Sequence, residues 1–306
     1  MSMHLAVVAT ASAQVTAFQA IVLGLLQGIT ELFPISSLGH TVILPRLLGW
    51  NINQSADNFL PFVTALHLGT AIALIVYFRR EWIAILVPML RSIQRGSLSD
   101  DANERLGWLV AVGTVPAAVL GVFLEKTVKS LFADPKVAAA FLVVNGFVLY
   151  FGEHLRVRAQ AAHTPAGNQH GTIDRNETAP RAVTTLGWGE AFVVGASQVL
   201  AFLPGISRSG VTMVAGLATG LSHETAARFT FLLATPVILG AALVEIPSLF
   251  GSSLLGMSIL GGVMAGIAAY FSVRFLMRYF TTNRLDPFAY YCWIAGALSF
   301  AILALR

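Results

Sequence analysis

The stretches QGITELFPISSLGHT at residues 27–41 and QVLAFLPGISRSGVT at residues 198–212 align without a gap, residue 27 on residue 198. The positions that match are mostly polar or glycine, and the match resumes downstream. The matched pairs are Gln27 with Gln198, Ile35 with Ile206, Ser36 with Ser207, Gly39 with Gly210, Thr41 with Thr212, Thr64 with Thr235, Leu68 with Leu239 and Gly69 with Gly240. Self-similarity at a fixed offset indicates an internal structural repeat.

Both stretches interrupt a chain that is otherwise strongly apolar. Of its 306 residues, 56% are hydrophobic and 11% are charged, whereas a soluble domain carries about 25% charged residues. Apolar segments long enough to cross a bilayer as helices recur throughout. They lie near 16–34, 61–78, 106–124, 137–152, 186–203, 211–221, 228–248, 254–274 and 286–305. The sequence therefore predicts an all-α polytopic membrane protein, with a shorter interfacial segment at 82–90.

Charge and cysteine content exclude several classes of function. The net charge is +4, but the basic residues cluster in short loops beside the apolar spans. Basic residues in this distribution are explained by membrane topology and by contact with anionic lipid headgroups. The net positive charge therefore does not indicate nucleic acid as a partner. The single cysteine, Cys292, excludes a disulfide within the chain and a cysteine-based metal site.

The arginines also orient the spans. Five of them surround the loop 79–105, which we place in the cytoplasm. Residues 153–185 are the one long polar stretch and read as a cytoplasmic linker between a first half, 1–152, and a second half, 186–306. Three spans then separate the two aligned stretches, which places them in opposite orientations. That is the pattern of an inverted-topology repeat.

The first stretch places polar side chains inside an apolar run. A proline, two serines and a glycine follow Glu31, and such a helix break is tolerated at membrane depth only where the backbone lines a cavity or is buried in protein. Glu31 is costly there without a partner and is a candidate functional residue. The alternative is a structural hydrogen bond to the broken backbone. The candidate side chains of this stretch are Gln27, Glu31, Ser36, Ser37 and His40.

The second stretch places Arg208 between two apolar runs, where it needs an anionic partner. Hydroxyls and glycines surround it at the predicted start of a helix. Backbone amides at a helix N-terminus together with a guanidinium suit a phosphate group. A purely structural pair with Glu31 is the alternative. The phosphate-binding candidates here are Gly205, Ser207, Ser209, Gly210 and Thr212. His67, where the repeat resumes, is equally compatible with packing and with a site role.

Taken together, Gln-Gly-x-x-Glu, Pro-x-Ser-Ser-x-Gly-His and Pro-Gly-x-Ser-Arg-Ser-Gly-x-Thr resemble the bacterial undecaprenyl diphosphate phosphatase family of the bacitracin-resistance type. The resemblance covers nearly the whole chain. It implies two re-entrant helix-loop segments, at about 16–45 and 186–221, that meet at mid-membrane in the cytoplasmic (inner) membrane. The site would open to the periplasmic face. Its central residues would be Glu31, Ser37, His40 and Arg208.

The resemblance further implies hydrolysis of a polyprenyl diphosphate, with a divalent cation, Mg²⁺ or Ca²⁺, as cofactor. The first position of the first motif is Glu or Gln in the family, and in this chain it is Gln27. Glu31 is therefore the one carboxylate of that motif that could bind the metal, and the substrate phosphates would supply the other ligands. Bacitracin would act by sequestering the substrate, and membrane lipids would surround the protein. The sequence does not determine the oligomeric state, for which a homodimer is one candidate.

Two questions stay open from the residues alone. The nucleophile is either Ser37, with Glu31 or His40 as its base, or a water activated by Glu31. The rival function is a secondary transporter or lipid flippase, since inverted repeats with broken helices are a transporter design.

Overall fold

The computed structural model describes residues 15–131, 134–162 and 181–306. These residues form eleven α-helices and no β-strand. The helices are α1 Ala17–Thr30, α2 Ser37–Leu47, α3 Phe59–Tyr77, α4 Arg79–Arg95, α5 Ala102–Leu131, α6 Pro135–Ala162, α7 Trp188–Ala196, α8 Arg208–Ala218, α9 His223–Glu245, α10 Leu255–Tyr279 and α11 Asp286–Leu305. Short 3-10 helices lie at Val183–Thr185, Ser197–Phe202 and Ile246–Leu249.

Within the described residues, five helical segments are long and apolar enough to cross a membrane. They are Phe59–Tyr77, Pro135–Arg156, His223–Leu249, Leu255–Tyr279 and Asp286–Leu305. The prediction of an all-α, multi-pass membrane protein is therefore confirmed.

The ends of several predicted segments differ from the structure. Helix α6 continues through Ala162, so the stretch predicted as a linker, 153–185, begins as helix, and its residues 163–180 lie outside the described residues. The predicted segment 82–90 is part of α4, Arg79–Arg95, which exposes apolar side chains such as Ile83 and Leu90. The predicted segment 186–203 is divided into α7 and the 3-10 helix Ser197–Phe202.

Small residues let helices of the first half approach helices of the second half closely. Helix α1 lies against α10, where a Cβ added at Gly24 would come 2.3 Å from the Gly261 carbonyl oxygen. Helix α7 lies against α5 in the same way, since a Cβ at Gly195 would come 1.9 Å from the Gly113 oxygen. Helices α3 and α9 pack against each other, as do α6 and α11. The two halves thus share one pattern of neighbours.

The aligned stretches occupy equivalent positions in this pattern. Ser36 precedes α2 and accepts a hydrogen bond from the Gly39 amide at 3.2 Å. Ser207 precedes α8 and accepts one from the Gly210 amide at 3.1 Å. Both are N-cap bonds, which satisfy an amide that the helix itself leaves unpaired. The serines and glycines matched in sequence therefore form the same N-cap hydrogen bond twice, although Ser36 has a φ of 67° and Ser207 a φ of −88°.

Candidate active site

The loops that precede α2 and α8 meet each other. The Gly205 amide donates a hydrogen bond to Ser36 Oγ at 3.2 Å, although the two residues lie in different halves of the chain. Gly205 has a φ of 108°, which costs any other residue energy. Ser36 is the one residue other than glycine with positive φ in the described part of the chain. Such a conformation persists where its surroundings hold it in place, often at functional sites.

Asn145 of α6 holds the two loops together. Its side-chain amide donates to the Pro34 carbonyl oxygen at 2.9 Å, and its oxygen accepts from the Ser207 amide at 2.9 Å. The side chain is fully buried and is the main hydrogen-bond partner of both backbone groups; the Pro34 oxygen also has Cys292 Sγ at 4.0 Å. Sequence reasoning did not identify this residue. The signal was a lone asparagine within the apolar segment 137–152.

Glu31 is the hub where the polar side chains of both halves converge. It ends α1 and is only 6% exposed. Its Oε1 accepts from Arg208, and its Oε2 accepts from Ser37 Oγ. The same Oε2 accepts from Gln27 Nε2 at 3.0 Å and lies 3.1 Å from His67 Nε2. The carboxylate therefore joins α1, α2, α3 and α8.

A cavity of about 200 Å³ opens onto this cluster. Its polar lining includes Glu31, Ser37, His67 and Arg208, and its apolar lining comes from α3 and α9. Its lining includes residues from the N-terminal half of α3, whereas the arginine-rich α4 follows the C-terminal end of that helix. A larger cavity of about 570 Å³ between α3 and α10 is lined almost wholly by apolar side chains. We assign the site to the smaller one because only there do charged groups converge.

Comparison with known proteins identifies the family of this chain. The family model of the bacitracin resistance protein BacA matches residues 20–298. The chain belongs to the BacA family.

The relatives of this BacA-family chain match it nearly end to end. An "Undecaprenyl-diphosphatase" of Acidiphilium cryptum is 47% identical over 292 residues, which cover 93% of this chain and 97% of that protein. One of Mycolicibacterium paratuberculosis is 46% identical over 311 residues, covering 96% and 100%. "Undecaprenyl-diphosphatase 2" of Frankia alni is 44% identical over 337 residues, covering 93% and 97%.

Of the four central residues that the resemblance implies in this BacA-family chain, three meet at the cavity. Glu31, Ser37 and Arg208 are in contact. His40 instead faces α11: its Nε2 lies 2.8 Å from the hydroxyl of Tyr291, and the rings stack. Its Nδ1 lies 2.6 Å from the Ser36 carbonyl oxygen, which accepts only, so Nδ1 carries the proton. Both ring nitrogens of His40 are therefore engaged, and His40 is absent from the cavity lining.

The remaining predicted residues build the loops around the cavity. Ser36 and Ser207 line it, while the Ser209 hydroxyl donates to the Phe33 carbonyl oxygen at 3.1 Å. The Thr212 hydroxyl donates to the Arg208 carbonyl oxygen at 2.8 Å, within helix α8. The amides of Gly205 and Gly210 already donate to serine hydroxyls. Gln27 is fully buried and is not part of the lining.

His67 is the residue on which sequence reasoning did not decide, and the structure places it in the site. It lies on the face of α3 that lines the cavity, beside Glu31. Its position in the repeat, near the matched Thr64 and Leu68, was the available signal.

The side chains do not fit a divalent cation held by the protein alone. Each Glu31 oxygen is already within hydrogen-bonding distance of donors, so a cation would have to displace Arg208 or His67. One further oxygen, Gln27 Oε1, is buried without a hydrogen-bond partner, but one amide oxygen does not supply the several oxygens that Ca²⁺ or Mg²⁺ requires. Among the described residues, no group of three or more His, Cys, Asp or Glu could hold a metal ion.

Proposed function

We propose that this protein hydrolyses undecaprenyl diphosphate to undecaprenyl monophosphate and phosphate, which recycles the lipid carrier of cell-envelope synthesis. Membership of the BacA family and the names of its relatives give the substrate. The observation that carries the chemistry is the hydrogen bond from Ser37 Oγ to Glu31 Oε2, with Arg208 on the other oxygen. A hydroxyl that is hydrogen-bonded to a carboxylate base, next to a guanidinium that is only 16% exposed, suits phosphoryl transfer to that hydroxyl.

The two helices that begin at the cavity support the binding of an anion. Ser37 is the first residue of α2 and Arg208 is the first residue of α8. Helix N-termini carry a partial positive charge that favours phosphate. The terminal phosphate of the substrate would therefore lie between Ser37 and Arg208, with the prenyl chain toward the apolar residues of α3 and α9.

Catalysis by the described residues would proceed in two steps. Ser37 Oγ attacks the terminal phosphorus while Glu31 accepts its proton, and the bond to the bridging oxygen breaks. Water then hydrolyses the phosphoserine and phosphate leaves. Arg208 stabilises the charge on the transferred group in both steps. Direct attack by a water that Glu31 activates is the competing mechanism. A divalent cation, Mg²⁺ or Ca²⁺, would accompany the diphosphate oxygens and neutralise part of their charge.

The proposed location is the bacterial cytoplasmic membrane, with the two loops re-entrant and the site facing the periplasm. Two features support this proposal: the N-terminal half of α3 lines the cavity, and the C-terminal end of α3 leads into α4, whose arginines favour the cytoplasm. Bacitracin would then compete for the diphosphate on the same side of the membrane.

The test is release of phosphate from a C55 prenyl diphosphate by purified protein in detergent, with Mg²⁺, Ca²⁺ or EDTA. We expect Ser37→Ala and Glu31→Gln each to lower kcat about 10²-fold or more. Ser272→Ala, a buried serine of α10, is the matched control and should keep full activity. If Ser37→Ala keeps most of its activity while Glu31→Gln loses it, water is the nucleophile.

The shared neighbour pattern of the two halves favours one second function, transport of the lipid product across the membrane. Folded protein that releases no phosphate in any condition would favour transport and make Glu31 and Arg208 a substrate-binding pair. Phosphate release without transfer of lipid in vesicles would count against transport.

A further inference from the structure

Two hydrogen bonds in series connect helix α11 to the residue before Ser37. His40 Nδ1 lies 2.6 Å from the Ser36 carbonyl oxygen, and His40 Nε2 lies 2.8 Å from the Tyr291 hydroxyl. A carbonyl oxygen only accepts hydrogen bonds, so Nδ1 donates to it. The neutral ring then has its lone pair on Nε2, where the Tyr291 hydroxyl donates to it. The two bonds together fix both the orientation and the tautomer of the ring.

Ser36, at the end of this series, has a backbone conformation that depends on its surroundings. Its φ of 67° and ψ of 101° lie in a region that residues other than glycine rarely adopt. Its hydroxyl accepts hydrogen bonds from the amides of Gly39 and Gly205. Its carbonyl oxygen accepts from the His40 amide at 3.3 Å and from the His40 ring, which supplies the shorter bond. The ring therefore holds the carbonyl of a strained residue.

The peptide unit between Ser36 and Ser37 transmits this constraint to the site. A peptide unit is planar, so the direction of the Ser36 carbonyl also sets the direction of the Ser37 amide and the position of the first residue of α2. Ser37 Oγ has to donate to Glu31 Oε2 from that position. A displacement of about 1 Å at a reacting group lowers a rate by as much as about 10²-fold.

Helix α11 supports the same loop at two consecutive residues. Cys292 is buried, and its Sγ accepts from the Asn145 side-chain amide at 3.3 Å and lies 4.0 Å from the Pro34 carbonyl oxygen. Tyr291 meets the loop through His40, with ring centroids 5.7 Å apart and ring planes 13° from parallel. Within the part of the chain that the structure describes, His40 is the one hydrogen-bond partner of the Tyr291 hydroxyl.

We propose that Tyr291 is a positioning residue of this site: it acts through His40 to hold the Ser36 backbone and thereby the Ser37 hydroxyl. This inference rests on the proposed phosphatase function. Neither Tyr291 nor His40 lines the cavity, and the two hydrogen bonds engage both ring nitrogens of His40. The role of the pair is therefore to set geometry, and no proton passes from either side chain to the substrate.

The experiment measures kcat and KM separately for phosphate release from a C55 prenyl diphosphate, with the full-length protein in detergent and activity expressed per folded protein. Tyr291→Phe keeps the aromatic ring and removes the hydroxyl. We expect its kcat to be about tenfold lower and its KM to stay within about twofold of the wild type, because only the orientation of the reacting group changes.

Tyr290→Phe is the matched control. Tyr290 precedes Tyr291 on α11 and is also exposed, but its ring meets Tyr150 and Trp293 and not the loop before α2. We expect kcat of this variant to stay within about twofold of the wild type.

Two substitutions of His40 distinguish positioning from proton transfer. His40→Ala removes the whole side chain, and we expect kcat to be about 10²-fold lower. His40→Asn keeps an N–H donor near the place of Nδ1 but has no group that transfers a proton, and we expect at least about tenfold recovery over His40→Ala. Adding Tyr291→Phe to His40→Ala should change kcat by less than about twofold, because the hydroxyl acts through the ring.

Three results would overturn the proposal. The first is a Tyr291→Phe variant whose kcat stays within about twofold of the wild type. The second is equal kcat in His40→Asn and His40→Ala, which would show that the donor at Nδ1 does not matter. The third is an undiminished effect of Tyr291→Phe in the His40→Ala background. A wild type that releases no phosphate would instead overturn the proposed function, and the positioning role with it.

Discussion

The substitution Gly205→Ala tests whether the contact between the two loops is the structural basis of the site. Gly205 has a φ of 108°, and its amide donates to Ser36 Oγ. A Cβ added there would come 2.3 Å from the Ala138 carbonyl oxygen and 2.7 Å from the Leu142 amide nitrogen. Both contacts are with the backbone of α6, which cannot rotate away as a flexible side chain would.

Two costs add at this position. Alanine at a φ that suits only glycine costs about 1–3 kcal/mol. Forcing a methyl group into a closely packed backbone costs about 1–3 kcal/mol more. The expected loss of free energy of unfolding is therefore about 2–6 kcal/mol. To relieve this clash, the loop that contains Gly205 must move away from α6, and that movement also displaces the hydrogen bond from the Gly205 amide to Ser36.

The assay compares melting temperatures in detergent, by intrinsic tryptophan fluorescence, and phosphate release by the folded fraction. Gly251→Ala is the matched control, because Gly251 has a φ of 84° with nothing within 4 Å of the added Cβ. At roughly 2–4 °C per kcal/mol, we expect Gly205→Ala to melt about 4–24 °C lower. Gly251→Ala should show only the smaller backbone cost and keep its activity.

Equal melting temperatures for the two variants would refute this reasoning, because they would show that the approach to α6 costs nothing. A Gly205→Ala protein that is destabilised but fully active would show that the loop contact supports the fold without determining the geometry of the site.

Three further predictions concern contacts away from the cavity lining. Asn145→Ala should cost about 1–3 kcal/mol for each of the two buried backbone groups left unpaired and should also lower phosphate release, as measured by melting temperature and activity. Glu153→Ala should cost about 3–5 kcal/mol, because this buried carboxylate accepts from His223 at 2.6 Å; exposed Glu224→Ala, its control, should cost under about 1 kcal/mol. The pKa of Glu190 lies below its ordinary value, mainly because Arg181 donates a hydrogen bond to the carboxylate. The stability that this pair contributes is therefore fully present at pH values above the ordinary pKa, and it is lost as the pH falls through the lower pKa of the folded state. The gap in melting temperature between wild type and Glu190→Gln should therefore close on acidification; a gap that persists would contradict the pKa difference.

Glu153 shows a limit of reading composition along the chain. It is the first acidic residue of the stretch 153–185, which the sequence predicts as a polar cytoplasmic linker. The structure buries it within α6, where it pairs with His223 and Arg284. A buried acid beside a polar stretch looks the same in sequence as a solvated one, because its partners come from the starts of other helices.

The sequence by itself determined the class of the protein, the internal repeat and the core of the site. Apolar length and low charge predict membrane helices because a bilayer offers no partner for an unpaired backbone group. Glu31 and Arg208 were predictable because charges buried at membrane depth require partners. Ser37 was predictable from its position at a helix break.

Only the tertiary structure decided which of the remaining polar residues join this core. His67 and Asn145 each lie within an apolar helix, and helical periodicity gives the face a residue occupies but not the neighbour that this face meets. His40 belongs to the same motif as Ser37, yet it faces Tyr291 on α11. These contacts follow from the packing of helices distant in sequence, and a local pattern contains no information about that packing.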